Sequence, residues 1–204
     1  MTFRSRNRPA PLAQSDAPGL TAPLIAIGVD LAYSIGGDST VAIVGAKVSV
    51  KTAAGYEPGL VLLGLESCKK SVVDVARMLL ALRDKHTARL ENGSLVVPPI
   101  GSYVGGQERS ILGLFQERGL LIEAMHARVG KYLRSQSTAA SWSSGRIILP
   151  REPWATLLAS KVRAFTGRED ARDDEVDALV SLHDFVLGQS WRLPEKLTHR
   201  RLRA

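Results

Sequence analysis

Short apolar runs and stretches with helical spacing follow one another along most of this chain. Leu24 to Asp30 is apolar up to its last residue, Thr40 to Val50 is rich in β-branched residues, and Leu60 to Glu66 is again apolar. Runs of this length, bounded by turn-forming residues, predict strands. Because the connections between the three runs contain glycine, we expect hairpins and an antiparallel arrangement.

The pattern changes at residue 72, where apolar residues begin to recur at helical spacing. Val72 to Lys85 predicts a helix that Ser71 could cap. After it, short apolar segments alternate with further helical patterns, and Pro98 and Pro99 end the first of these segments. The sequence predicts strands at 94–97, 120–124 and 146–149, and helices at 107–118, 131–143, 153–165 and 174–187. This order predicts one α/β domain with a mixed sheet and helices on both faces.

The two ends of the chain lack this pattern and are basic. Residues 1–22 are rich in Pro, Ala, Arg and Ser, which predicts a flexible basic arm. Residues 189–204 are predicted to be a basic C-terminal tail. We therefore expect a single folded domain at residues 23–188.

Composition narrows the class of partner. The 204 residues include 27 Lys and Arg against 20 Asp and Glu, a formal charge of +7, which favours a polyanionic partner. Cys68 is the only cysteine, so an intrachain disulfide and a cysteine-rich zinc site are both excluded. No apolar stretch approaches the roughly 20 residues of a membrane span, and the N-terminal segment lacks the apolar core of a signal peptide. We expect a cytoplasmic protein that does not contact membranes.

Two acidic positions, far apart in the sequence, have the form of a metal site. Asp30 ends the first predicted strand, and the segment Asp-Asp-Glu-Val-Asp at 173–177 opens the last predicted helix. Carboxylates at a buried strand end, joined in space by carboxylates on a helix, can hold divalent cations. On a basic chain, this combination suggests metal-dependent cleavage of nucleic acid. Acidic residues are also favoured at helix starts by the helix dipole and by capping, so a structural role is the alternative.

Three segments of the chain carry a family resemblance. They are Ile27–Ala32 with Gly37–Val44, Gly130–Arg134 with Gly145–Pro150 and Trp154, and Asp173–Leu179. Together with the order of the elements, these segments resemble the nuclease domain of the large terminase subunit of tailed bacteriophages, within the ribonuclease H-like superfamily. The resemblance implies a ribonuclease H-like α/β fold. In that fold, three antiparallel strands are followed by parallel strands, and helices cover both faces of the mixed sheet.

The resemblance also implies an activity. Nucleases of this family are metal-dependent endonucleases that cleave double-stranded, concatemeric viral DNA by two-metal hydrolysis during genome packaging. The implied cofactors are two ions of Mg²⁺ or Mn²⁺. The implied partners are duplex DNA, the terminase ATPase motor, the small terminase subunit and the portal, in the host-cell cytoplasm. This sequence has no Walker A phosphate loop, so it corresponds to the nuclease portion alone or to a stand-alone relative.

The resemblance places the catalytic aspartate at Asp30, which would bridge both ions. Asp174 and Asp177 lie three residues apart, hence on one face of the predicted helix, and would approach Asp30 together. Asp173 is expected to point elsewhere. The family has a further acidic ligand at the end of its fourth strand, and residues 95–102 contain no carboxylate to match it.

Two glutamates could replace that acid. Glu66 ends the third predicted strand and is predicted to join the three aspartates as a catalytic metal ligand, and Glu108 is the alternative. Asp38, in the glycine-containing loop after the first strand, is interpreted as a loop residue.

Basic residues near the acidic segments are predicted to contact DNA phosphates, although a solvated surface role is the alternative for each. They are Lys131, Arg134, Arg146, Arg128 and Lys161. The histidines lack metal-ligand spacing, and His183, inside the last predicted helix, is interpreted as a surface or packing residue.

Two other functions remain compatible with the sequence. A catalytically impaired relative would keep the fold and the basic ends, and would bind DNA or a packaging partner without hydrolysis; the missing fourth-strand acid favours this alternative. The opening strand, Asp30 and the loop after it also resemble sugar kinases and actin-like ATPases. A chain of 204 residues is too short for their two-lobed body.

Overall fold

The structure is a computed structural model that covers the central part of the chain with few gaps. The described residues are 24–32, 39–89, 93, 95–105, 108–167 and 173–188. The predicted arm at 1–22, the predicted tail at 189–204 and Asp38 lie outside the described residues.

The described residues form eight strands, six of which make one mixed sheet. The strands are β1 Ile25–Asp30, β2 Thr40–Thr52, β3 Gly55–Cys68, β4 Ala88–Arg89, β5 Leu95–Val96, β6 Ile100–Tyr103, β7 Ile122–Met125 and β8 Ile147–Ile148. The main sheet has the order β7-β6-β1-β2-β3-β8, and β4 and β5 pair separately. β1, β2 and β3 are antiparallel neighbours, whereas β6, β7 and β8 join in parallel. The predicted mixed sheet is confirmed.

Helices cover both faces of this sheet, as predicted. They are α1 Val72–Lys85, α2 Glu108–Gln116, α3 Lys131–Ser143, α4 Pro153–Ala164 and α5 Asp174–Leu187. Side chains alternate along the strands, so Ala26 of β1 packs with α3, α4 and α5, while its neighbour Ile27 packs with α1 and α2. No helix among the described residues is long and apolar enough to cross a membrane.

The strand beside β1 is β6, which the sequence analysis did not identify. The predicted strand at 94–97 corresponds to β5, which pairs with β4 in the small separate sheet. β6 occupies the place next to β1, with Val29 in register with Ser102. Its four residues, Ile-Gly-Ser-Tyr, are too few and too polar to show a strand pattern, and the two prolines before them suggest a loop.

Glycines in neighbouring strands let α5 lie close against the sheet. A Cβ on Gly28 of β1 would overlap the backbone of Leu182, and a Cβ on Gly101 of β6 would overlap the ring of Phe185. Both partners belong to α5, whose buried residues extend from Val176 to Val186. The glycines therefore fix the last helix directly against the first strand.

Candidate metal centre

The end of β1 and the beginning of α5 meet on one side of the sheet. Asp30 is the last residue of β1, Asp173 is the N-cap residue of α5, and Asp174 and Asp177 lie in the first turn of α5. The three aspartates at 173, 174 and 177 all act electrostatically on Asp30. The structure therefore brings together Asp30, Asp174 and Asp177, which the sequence analysis selected.

Asp30 is a partly buried acid in a negative environment. Burial is the main reason why its pKa rises from an ordinary 3.8 to about 8, and the neighbouring Asp177 and Asp174 raise it further. Lys131 acts in the opposite direction. An acid with this pKa holds its proton at neutral pH unless a cation compensates the negative charge. The surroundings of Asp30 thus favour the binding of a cation.

Lys131 contacts two of the aspartates at the start of α5. It is the first residue of α3, and its Nζ lies 2.6 Å from Asp173 Oδ1 and 2.5 Å from Asp177 Oδ2. Burial opposes the charged form of Lys131, but the hydrogen bonds to the two carboxylates outweigh it and raise the lysine pKa. The sequence analysis predicted a phosphate contact for Lys131, whereas the structure pairs it with aspartates.

Two further contacts define the acidic cluster. Asp173 was expected to point elsewhere, but its hydrogen bond to Lys131 places it within the cluster. Asp174 Oδ2 accepts a hydrogen bond of 3.2 Å from the backbone N–H of Ser39, the residue just before β2. Ser39 is therefore attached to the first turn of α5. We call Asp30, Asp173, Asp174, Asp177 and Lys131 the acidic cluster.

Glu66 is not brought to the acidic cluster. It is an exposed residue of β3 in register with Ala42, which in turn is in register with Val29. Cross-strand partners share a face of the sheet, and Ala42 and Val29 pack with α1 on the face opposite to Asp30. The alternative, Glu108, begins α2, and its side chain lies outside the described residues.

A tyrosine ends β6, one residue beyond the stretch 95–102 in which the fourth-strand acid was sought. The register of β6 with β1 ends with Val29 opposite Ser102, and Asp30 and Tyr103 are the next residues of the two strands. The Tyr103 hydroxyl donates a hydrogen bond of 2.7 Å to Asp184 Oδ2 of α5, and the Arg134 guanidinium lies 4.5 Å from the centre of the tyrosine ring. Burial, together with Asp184, raises the Tyr103 pKa. β6 therefore offers a neutral hydroxyl at this position.

Asp184 is the centre of a polar network that sequence analysis missed. Its Oδ1 accepts a hydrogen bond from Ser137 at 3.1 Å and lies 3.0 Å from His183 Nδ1. The other ring nitrogen of His183 lies 2.8 Å from the hydroxyl of buried Ser141. The network joins β6, α3 and α5 beneath the acidic cluster. The seven-residue spacing between Asp177 and Asp184, which places both on one helical face, was the available signal.

Replacing Asp184 with alanine is expected to destabilise the protein. The hydroxyl of Tyr103 and the ring of His183 would lose a common acceptor, and a buried polar group left without a partner costs about 1–3 kcal/mol. We expect a loss of about 3 kcal/mol in the free energy of unfolding, measured by urea denaturation. Asp84→Ala is the matched control, because Asp84 is 70% exposed and pairs only with the adjacent Arg83. Equal losses in the two variants would contradict the network.

Arg134, one of the predicted DNA contacts, lies near the acidic cluster. Burial raises the pKa of Asp177, and Arg134 opposes this larger effect by lowering that pKa. Arg128 is exposed just before α3. Lys161 forms an ion pair of 2.5 Å with Glu175. Their contact with DNA stays a prediction.

Arg146 lies far from the acidic cluster. Its guanidinium donates a hydrogen bond of 3.3 Å to the carbonyl oxygen of Pro58. Ser67 of β3 marks the level of Asp30 in the sheet, because Ser67 is in register with Val41 and Val41 is in register with Asp30. Pro58 lies nine residues from Ser67 along β3. At about 3.3 Å per strand residue, this separation is roughly 30 Å. Arg146 instead fastens β8 to the distant end of β3.

The four aspartates of the acidic cluster offer ligand atoms that fit a hard divalent cation. Their ligand atoms are carboxylate oxygens, which Mg²⁺ and Mn²⁺ prefer. Burial of Asp30 beside like charges also favours added positive charge. Within the described ranges, however, no three His, Cys, Asp or Glu side chains are arranged closely enough to hold a metal ion. Carboxylates of the cluster would therefore have to turn toward an ion as it binds.

Solved structures of one nuclease share this fold. The chain is similar to the large terminase nuclease from thermophilic phage G20c with bound zinc, with a TM-score of 0.57 and 16% identity over 80% of this chain and 82% of that one. The magnesium-bound and cobalt-bound structures of that nuclease give TM-scores of 0.54 and 0.51, each with 14% identity over 78% of this chain and 80% of that chain. No protein-family model matches the sequence, and neither does any curated protein. The chain therefore has the fold of a phage large terminase nuclease, as its three sequence segments predicted.

Proposed function

We propose that this chain is a metal-dependent endonuclease of the large-terminase type, which hydrolyses phosphodiester bonds of double-stranded DNA. The observation that carries the proposal is the meeting of Asp30 with Asp174 and Asp177 at the junction of β1 and α5. Similarity to a nuclease solved with bound zinc, magnesium and cobalt supports it. The net charge of +7 suits a polyanionic substrate.

Asp30, Asp174 and Asp177 would hold Mg²⁺ or Mn²⁺ through their carboxylate oxygens. Bound ions of this kind activate a water for attack and stabilise the charge on the leaving oxygen. The protein's contribution is placement. Asp30 is held by a central strand, Asp174 is held by the Ser39 N–H, and Asp177 is held by Lys131.

Substrate contacts would come from positive groups around the acidic cluster. Arg134 and Arg128 lie on the side of the cluster where α3 begins and could bind backbone phosphates without reading sequence. The basic segments at 1–22 and 189–204 would add attraction that falls with salt. The proposed setting is the packaging of concatemeric viral DNA in the host cytoplasm, with a terminase motor, small subunit and portal as partners.

Conversion of supercoiled plasmid to nicked and linear forms tests this proposal. The purified chain should cleave when Mg²⁺ or Mn²⁺ is added and should stop when EDTA removes the ion, because the acidic cluster alone supplies no electrophile. Asp84→Asn, an exposed substitution on α1 outside the acidic cluster, should cleave like the wild type. Cleavage that persists in EDTA would rule out the metal-dependent mechanism.

A catalytically impaired DNA-binding protein is the second candidate. The observation that favours it is β6, which ends at Tyr103 and contains no carboxylate where a second strand acid was sought. The same plasmid separates the two functions when binding is measured by gel shift alongside cleavage. A shifted plasmid that stays supercoiled in both metals would establish the second candidate.

A further inference from the structure

We propose that Tyr103 is a positioning residue for DNA, whose ring holds the Arg134 guanidinium beside the acidic cluster so that it binds a backbone phosphate next to the cleaved bond. This inference rests on the proposed function, because the phosphate belongs to the same duplex. It gives Tyr103 a role and Arg134 a fixed direction, neither of which the sequence predicts. The metal ions keep the role proposed for them.

Arg134 lies on the face of α3 that meets the acidic cluster. It follows Lys131 by three residues, so the two side chains share one side of the helix, and Lys131 contacts Asp177. Burial is the largest influence on the Asp177 pKa and raises it, whereas the charge of Arg134 lowers it. Arg134 is therefore close enough to act on a carboxylate of the proposed metal site, which is where the DNA backbone would pass.

The Arg134 guanidinium has hydrogen-bond donors to spare. In the described part of the chain it forms no ion pair, and Nη1 donates a long hydrogen bond of 3.4 Å to the carbonyl oxygen of Val129. Its Nε is buried and has no hydrogen-bond partner among the described residues. A guanidinium has five N–H donors in a planar fork that matches two oxygens of a phosphate. Because an unpaired buried donor costs free energy, a phosphate that accepts from this fork gains affinity.

The ring of Tyr103 sets the direction of that fork. Arg134 Cζ lies 4.5 Å from the ring centre, within the range of a cation–π contact. The ring is itself fastened, because the Tyr103 hydroxyl donates a hydrogen bond of 2.7 Å to Asp184 Oδ2 and Ser137 holds the other oxygen of that carboxylate. β6, α3 and α5 therefore combine to hold one arginine at the edge of the acidic cluster.

A contact that only joins β6 to α3 is the competing explanation. Salt dependence separates the two roles, because the logarithm of the DNA-binding constant falls with the logarithm of salt concentration by about 0.9 for each phosphate contacted. Loss of a purely structural contact leaves this slope unchanged. Loss of a ring that directs Arg134 to a phosphate lowers the slope, although no charge has been removed.

Fluorescence anisotropy of a labelled duplex at a series of NaCl concentrations measures the slope. Ca²⁺ serves as the ion, and a denaturing gel checks that the duplex stays uncut. Arg134→Gln should lower the slope by about 0.9, and Tyr103→Leu should lower it equally. The double variant should bind no more weakly than Arg134→Gln, because both substitutions remove the same contact.

Two further variants serve as controls. Tyr103→Phe keeps the ring and should retain the wild-type slope. Tyr56→Leu is the matched control, because Tyr56 is 74% exposed on β3 and far from the acidic cluster, and it should also retain that slope. A wild-type slope in Tyr103→Leu or in Arg134→Gln would overturn the inference and leave the nuclease proposal standing.

NMR of the wild type keeps the test independent of whether Tyr103→Leu folds. The Arg134 Nε–H resonance, assigned by its absence in Arg134→Gln, should be shifted by the Tyr103 ring and should move when the duplex is added. A resonance that ignores the duplex would overturn the inference. A wild type that shows the expected slopes but does not cleave in Mg²⁺ or Mn²⁺ would overturn the nuclease proposal alone, and one that does not bind the duplex would overturn both.

Discussion

Replacing Asp30 with asparagine is expected to abolish DNA cleavage and, in the same variant, to stabilise the metal-free protein. Loss of a group that only supports a metal ligand typically reduces activity 10- to 100-fold. Loss of a ligand itself should exceed about 100-fold. The stabilisation follows from burial and from the nearby Asp177 and Asp174, which raise the Asp30 pKa to about 8.

The size of this stabilisation depends on pH. The folded-state pKa of Asp30 lies above its ordinary 3.8, so the folded state resists losing this proton. The resulting penalty is absent below about pH 4, grows as the pH rises to about 8, and is constant above that. The asparagine side chain cannot ionise, so the variant should gain on the order of 5 kcal/mol over the wild type at pH 8 in EDTA and almost nothing at pH 4.

Thermal unfolding in EDTA at a series of pH values measures this difference. Added Mn²⁺ should then stabilise the wild type and have a much smaller effect on Asp30→Asn, because ligand binding to the folded state raises its stability. Asp84→Asn should follow the wild type under all these conditions. An Asp30→Asn variant that cleaves plasmid at the wild-type rate would remove Asp30 from the catalytic set.

Gly28→Ala is expected to give the largest loss of stability of any single methyl addition in β1. The new Cβ would overlap the backbone N and Cα of Leu182, and a backbone cannot rotate away as a flexible side chain can. Overpacking of this kind typically costs 1–3 kcal/mol, and we expect about 3 kcal/mol. Because α5 would be pushed from β1, cleavage should fall together with stability.

Gly113→Ala is the matched control for that substitution. Gly113 lies in the exposed part of α2, and a Cβ built on it meets no atom within 4 Å. Alanine favours a helix over glycine by about 1 kcal/mol, so this variant should be unchanged or slightly more stable. Urea denaturation measures the free energy of unfolding of the two variants. A Gly28→Ala protein as stable as Gly113→Ala would contradict the close packing of α5.

The helices were predictable from the spacing of residues along the sequence. Val72–Lys85, Lys131–Ser143 and Asp174–Leu187 match the predicted ranges, since helical spacing persists through each of them. The antiparallel order of the first three strands was also predictable, because the connections between the three apolar runs contain glycine and indicate hairpins. Local patterns sufficed wherever an element is long enough to repeat its period.

β6 could not be found in this way. Its glycine is required by the ring of Phe185, a residue more than eighty positions later, and its serine is buried between other strands. Both residues weaken a strand pattern. A tertiary contact thus selected residues that local propensity disfavours. The preceding Leu95–Val96, which forms β5, gave the stronger strand signal.

The acidic cluster was predictable in part. A carboxylate ending an apolar strand and a pair spaced by three on a helix are visible in sequence, and they led to Asp30, Asp174 and Asp177. The side of the sheet on which Glu66 lies depends on strand register, which the sequence does not specify. The pairing of Lys131 with Asp173 and Asp177 joins segments more than forty residues apart. No local sequence pattern predicts this pairing.

The junction of β1 with α5 has a consequence for the newborn polypeptide. Asp30 leaves the ribosome early, whereas Asp174 and Asp177 emerge only after every other described strand and helix has been made. Contacts between such distant parts of a chain form late and slow folding. A nascent chain therefore cannot assemble the acidic cluster until translation has passed α5, and under the proposed function it would be unable to cleave nucleic acid before then.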